Sequence, residues 1–301
     1  MVLKKRGIFF TTTVLVVMTI LVASYGLYSY SNQSKNIEKR IITLENFLLS
    51  IEEDLPRQVY ISGFRSIFLM EKRIAETGTY IDNVESQFKQ AFYNGTIYLQ
   101  EQDLLEDISE EKIEEAVNTK IAKINGNFSW KIQNVSLKQI SPWNIHIEVN
   151  ASIKLEDLSH LAKWEKNITI VTEIPIENFE DPIYRVNTNG KVTKKIRKTP
   201  YPNLNLGLNI PDLTDHVKKT YYQESSEAPS FIQKLEGGTQ TSIYGIESLV
   251  YTPDMSAQGI TPLDKSITDH IYFSTSNPGY SQVEGMPSWF KIDAPHLDDY
   301  T

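Results

Sequence analysis

Five histidines, His146, His160, His216, His270 and His296, are the side chains best suited to move a proton or hold a metal ion near neutral pH, and none lies at metal-ligand spacing. Asp269 and His270, together with His296, Asp298 and Asp299, would make an oxygen and nitrogen site for a divalent cation only if folding gathered them from separate segments. Ser248, Asp264 and His270 complete a nucleophile triad on paper. Ser248, however, sits in Gly245-Ile246-Glu247-Ser248-Leu249-Val250 and not in the Gly-x-Ser-x-Gly turn that exposes a nucleophile. There is no Gly-rich phosphate loop and no Walker-type motif. The expectation is no catalytic residue, no metal, no cofactor and no enzyme.

Two other chemistries deserve weighing. Asn-x-Ser/Thr sequons begin at Asn32, Asn94, Asn127, Asn134, Asn150 and Asn167, all before residue 170, and would accept glycans on an exported chain. Lys191, Lys194, Lys195, Arg197 and Lys198 form one basic run. It could meet anionic glycans or lipid headgroups, but a solvated hairpin arm is the favoured reading. Glu52-Glu53-Asp54 and Glu110-Glu111 sit on expected helices and should face water.

The 301 residues, 40% hydrophobic and 23% charged, suffice for one large or two modest domains with a real core. Cysteine is absent, which excludes disulfides and thiol chemistry. Of the 30 basic residues, Lys4, Lys5 and Arg6 are the only charges before Lys35, so 27 face 38 acidic residues downstream, a net of −11. Such a surface repels phosphate backbones and argues against a nucleic-acid partner.

Ile8 to Tyr28 carries no charge, and its 21 residues at about 1.5 Å each match the roughly 30 Å of a hydrocarbon core. Tyr25, Tyr28 and Tyr30 mark the outer interface, and the basic triplet holds the N-terminus in the cytoplasm. The expectation is a single-pass membrane protein, in contact with lipid through residues 8–30, whose body lies outside the cell. A plain anchor, or a signal cut near Val22-Ala23-Ser24, would export the body equally well.

The run Lys4-Lys5-Arg6-Gly7, followed by Ile8-Phe9, resembles the leaders of archaeal type IV pilin-like proteins. That resemblance implies cleavage between Gly7 and Ile8, and self-association or pilin-like partners for the freed helix. It covers about residues 1–55 and departs from the bacterial pattern, because the fifth residue after the cut is Thr12 and not glutamate. Asp181-Pro182-Ile183-Tyr184, Ala228-Pro229-Ser230-Phe231, Gly245-Ile246-Glu247-Ser248-Leu249 and Met286-Pro287-Ser288-Trp289-Phe290 are similar to segments of uncharacterised archaeal membrane-anchored surface proteins, a likeness that supplies no activity. The implied role is a structural or adhesive cell-surface subunit, glycosylated at its sequons. The alternative is a monomeric binding or receptor domain on a plain anchor.

These groups need elements to position them. Ile37, Ile41, Leu44, Leu48, Ile51 and Leu55 recur at heptad spacing and predict a helical stalk that packs on its own body or on a second copy, ended or bent by Pro56. Further helices are expected over 57–75, stopped by Gly78, over 84–93, and from the N-cap Ser109 to about Ile124. Asn144 to Leu155 alternates as a half-buried strand, with neighbours near Phe128–Ile132 and over 167–176. Asn189-Gly190 predicts a hairpin between 184–186 and 191–193. A helix over 213–222, with strands over 243–251 and 271–273, completes the reading. The whole is α+β: leader 1–7, transmembrane helix 8–30, stalk 31–56, an antiparallel sheet with helices on one face within 57–200, and a proline-rich extension 201–301 packed on the body.

Overall fold

The computed structural model describes residues 3–201, 204 and 209–300. Met1 and Val2 of the expected leader, and Pro202 of the extension, lie outside the described residues. The protein is α+β, as its alternating periodicities predict.

Helix α1 runs from Leu3 to Thr77 without a break and carries Gly7 and Ile8 within it. Gly78 ends it at φ 68°, donating its N–H to Ile74 O at 2.9 Å. Pro56 does not end the helix, so the expected stalk and the expected helix over 57–75 are one element. A proline inside a helix costs about 3 kcal/mol. The offset is packing, since Leu48, Ile51 and Leu55 before it and Val59 after it are all buried.

Downstream, α2 spans Val84–Asn94, capped by the Asn83 side chain on Ser86 N. The short pair β1 (Thr96–Ile97) and β2 (Gln100–Glu101) precedes α3 (Glu110–Ile121). The principal sheet is β3 (Gly126–Ser141), β4 (Asn144–Asp157) and β5 (Lys163–Pro175), antiparallel in that order. The alternation in β4 places Ile145, Ile147, Val149, Ala151, Ile153 and Leu155 on its buried face. The rest comprises α4 (Pro182–Asn187), α5 (Ile210–Lys218), β6 (Tyr222–Glu224), α6 (Phe231–Leu235), β7 (Ile246–Ser248), α7 (Thr252–Ala257), α8 (Asp269–Tyr272), β8 (Ser281–Gln282), β9 (Lys291–Ile292) and α9 (Ala294–Tyr300).

Three expectations in this last region are corrected. The hairpin around Asn189-Gly190 is absent, because residues 184–186 belong to α4. Asp181 accepts from Ile183 N as its N-cap and Pro182 opens its first turn. The positive φ at Asn189 and Gly190 therefore closes a helix and not a strand pair. Residues 271–273 lie in and just after helix α8. The strand expected over 243–251 shrinks to β7, and the helix expected over 213–222 is α5, with Tyr222 already in β6.

The chain divides into two compact units. One unit contains Met1–Asp54, Glu114–Ser129 and Ile153–Lys166. In it, Phe10 to Tyr30 is exposed throughout, whereas Ile37 and Ile41 are half-buried and Leu44, Leu48 and Ile51 buried. The heptad seam thus packs on its own chain. Leu44 Cδ2 comes within 3.0 Å, and Ile121 within 2.8 Å, of where a Cβ on Gly126 would stand, so a side chain there would have to displace both. Arg40 reaches the enclosed Asp157 at 2.5 Å, and Lys166 pairs with Glu52 at 2.8 Å.

The other unit contains Leu55–Ile113, Trp130–Ser152 and Asn167–Thr301. Gly63 of α1 lies against Ile147 and Ile174 of the sheet, and the C-terminal loops enclose a second apolar cluster that includes Tyr184, Leu213, Tyr272, Phe290 and Tyr300. This cluster holds the buried polar residues that follow.

Candidate functional site

Two adjoining polar clusters are sealed inside the second unit. The first centres on Lys234, whose side chain is completely enclosed. Helix α6 delivers it, under a capping box in which Ser230 and Gln233 satisfy each other's backbone. Its ammonium donates to Asp181 Oδ2 and Asp269 Oδ2, each at 2.8 Å, and faces the Tyr222 ring at 5.2 Å. Burial opposes its charge, but the two carboxylates prevail and hold its pKa above the ordinary lysine value. Burial raises Asp181. At Asp269 the burial penalty is outweighed by Lys234 and His270, and the carboxylate stays ionised.

Ser248 joins this cluster and not a triad. Its Oγ donates to Asp269 Oδ2 at 2.9 Å and accepts from Tyr184 at 3.0 Å. Asp264 is engaged elsewhere, bound by Tyr280 and Lys291. A protonated lysine is no general base, and a fully enclosed serine meets no substrate. The arrangement ties α4, α6, β7 and α8 together.

The second cluster is built from Glu247 on β7, His270 on α8 and His296 on α9, all buried. One ligand atom from each lies within 4.8 Å of the others. Glu247 Oε2, His270 Nδ1 and His296 Nε2 are enclosed without an aligned hydrogen bond, and His270 Nδ1 has Asp269 Oδ1 at 3.4 Å beside it. His296 Nε2 approaches Glu247 Oε2 to 3.2 Å, but not along a hydrogen-bond direction. The remaining atoms are well held. His296 Nδ1 meets Asp293 Oδ2 at 2.5 Å, Asp293 Oδ1 accepts from Ser266 at 2.5 Å, and Glu247 Oε1 accepts from Tyr300 at 2.8 Å. As an ion-free cluster, burial penalises charge on His296, yet Asp293 and Glu247 push its pKa up to about 10. Two imidazoles and a carboxylate are also the donor set of a divalent metal site.

Folding therefore brings together His270 and His296 of the residues the sequence singles out. Asp269 stands beside them with its carboxylate committed to Lys234, Asp298 is exposed, and Asp299 lines a separate groove with Trp143 and Lys198. Sequence reasoning missed Glu247 and Asp293. Asp293, three residues before His296, carried a faint local signal, whereas Glu247 in an apolar strand carried none. His216 is buried on the far side of Tyr300, ring centroids 6.0 Å apart, with its Nδ1 on Thr199 at 3.1 Å, and desolvation lowers its pKa to about 4.

A surface groove of about 640 Å³ offers a different environment. Phe64, Phe68 and Phe179 form its apolar wall, with Glu71, Arg185 and Lys195 around it. Glu71 Oε1 is enclosed and unpartnered, and burial, reinforced by Glu180, raises this carboxyl to about 9. The basic run is no free hairpin arm: Lys194 binds Asp254 at 2.7 Å, Lys198 approaches Glu224 at 3.4 Å, and Arg197 donates to Lys219 O.

Among the sequons, Asn32, Asn94, Asn127, Asn134 and Asn167 are exposed. Asn150 is half-buried, with its amide nitrogen on Glu148 at 2.9 Å and its oxygen accepting from Thr169 at 2.7 Å. Among the described residues one helix, α1, is long and apolar enough to cross a membrane. No protein-family model, curated protein or solved structure matches the chain, so its functional reading rests on these groups and on that helix.

Proposed function

We propose that the protein is a membrane-anchored cell-surface subunit of pilin-like type, with its N-terminus cytoplasmic and its body outside. The observation carrying this reading is the division of α1: Phe10 to Tyr30 is bare and apolar, and from Leu44 onward the heptad positions of the same helix are covered by the chain's own residues. A bare apolar helix in water costs about 25 cal/mol for each Å² exposed, so lipid or neighbouring copies of the helix must cover it. Removal of Met1 to Gly7 would strip the cytoplasmic charges and let the helix leave the bilayer for a filament. The exposed sequons, Asn32, Asn94, Asn127, Asn134 and Asn167, are its glycan acceptors.

N-terminal sequencing of the protein recovered from its own membrane tests this. A mature chain beginning at Ile8 is the expected result. A chain retaining Met1, or one beginning after Ser24, overturns the pilin-like reading. Retention of Met1 would favour a plain anchor carrying a binding domain, for which the aromatic groove at Phe64 and Phe68 is the supporting feature.

A further inference from the structure

We infer that Glu247, His270 and His296 bind one divalent transition-metal ion of the zinc class, which ties β7, α8 and α9 together. Three independent features support the site. The first is the set of buried, unpartnered atoms. Leaving a buried lone pair unpaired costs about 1–3 kcal/mol, and here three such atoms share one small region. The pair at 3.2 Å, misaligned for a hydrogen bond, has the separation of two ligands on a common centre, because bonds of about 2.0–2.1 Å at tetrahedral angles put ligands roughly 3.3 Å apart. The His270 ligand atom lies within 4.8 Å of both.

The second feature is the outer layer of hydrogen bonds. Metal-bound imidazoles characteristically donate their other nitrogen to a carboxylate, and Asp293 takes that place at His296 Nδ1, held in turn by Ser266 and Thr268. Tyr300, at 2.8 Å, and Gln223, at 3.3 Å, both donate to Glu247 Oε1, leaving Oε2 free. The inner atoms are open and the outer ones fixed.

The third is charge. A dication set against the carboxylates of Glu247 and Asp293, with both imidazoles neutral, leaves the enclosed cluster without net charge, where burial of unbalanced charge is costly. Imidazole donors select zinc-like ions over calcium or magnesium, which prefer all-oxygen shells. Three protein donors leave the fourth tetrahedral position to a water, and the near-complete enclosure of all three side chains shields that position from bulk solvent. The ion would anchor the C-terminal helix in a chain that has no cysteine to do so.

The inference does not depend on the pilin-like reading. Its test uses the full-length chain in detergent, stripped with chelator and titrated with zinc chloride, with magnesium chloride as the comparison. The expected result is uptake of one zinc per chain, with a rise in Tm of roughly 5 °C at a hundredfold excess over Kd and none with magnesium. His270→Gln and His296→Gln each weaken uptake at least a hundredfold, while His160→Gln, at an exposed histidine, does not. X-ray absorption of the zinc-loaded native chain, which needs no variant to fold, shows two imidazole ligands and an oxygen. Failure of the stripped native chain to take up zinc stoichiometrically, uptake that survives both histidine substitutions, or an absorption spectrum without imidazole overturns the inference.

Discussion

Lys234 Nζ lies 2.8 Å from Asp181 Oδ2, with both side chains completely enclosed. Removing one partner of a buried pair strands the other's charge and costs about 3–5 kcal/mol. Lys234→Met, which leaves both Asp181 and Asp269 without their cation, is expected to lose that much stability in urea unfolding. Asp181→Asn is expected to lose roughly 1–2 kcal/mol, because the amide oxygen can still cap α4 and Asp269 still pairs with Lys234, while the amide nitrogen that replaces Oδ2 no longer accepts from Tyr222. A Lys234→Met variant within about 1 kcal/mol of the parent would show that the pair is not the tie described.

Gly63 sets how closely α1 approaches the sheet. A Cβ there would collide with Ile147 Cδ1 and stand 2.8 Å from Ile174 Cδ1, both of them ends of side chains that can shift. Alanine also gains about 1 kcal/mol of helix propensity, so Gly63→Ala is expected to stay within about 1 kcal/mol of the parent. Gly63→Leu overpacks the contact and should cost about 2–3 kcal/mol. Equal stabilities for the two variants, measured by thermal unfolding, would refute the close packing.

Two buried groups give stability opposite pH dependences. His216 titrates at about 4 when folded and near 6.5 when unfolded, so the unfolded chain binds the extra proton between these values. Its contribution is complete above 6.5 and is lost as the pH falls toward 4, at up to about 1.4 kcal/mol per pH unit. Glu71 titrates at about 9 when folded against 4.5 unfolded, so the folded chain holds the extra proton and stability falls as the pH rises through that window. Glu71→Gln is therefore expected to flatten the alkaline decline and raise stability at pH 8. His216→Gln should flatten the acid one. Denaturant midpoints from pH 4 to 9 in chelator read both slopes, and an unchanged alkaline slope in Glu71→Gln would remove the assignment.

The long apolar helix, the buried seam from Leu44 to Leu55, the helix start after Ser109 and the alternating strand at Asn144 were all legible in the sequence. Each depends on periodicity or on residues within one or two turns, and local spacing carries that information. The helix end offered at Pro56 and the hairpin at Asn189-Gly190 were misread for the opposite reason. Burial on both sides of Pro56 outweighs its local cost, and the Asp181 cap turns a strong hairpin dipeptide into a helix terminus.

By itself, the sequence determined where apolar faces lie, that one helix can span a bilayer, and that the chain beyond it is acidic and free of disulfides. Only the tertiary structure decided that Lys234 would be neutralised by Asp181 and Asp269, and that Glu247, His270 and His296 would converge. These residues are far apart along the chain and share no period. Their grouping follows from loops folding over a common core, where a buried polar atom must find a partner whatever its distance in sequence.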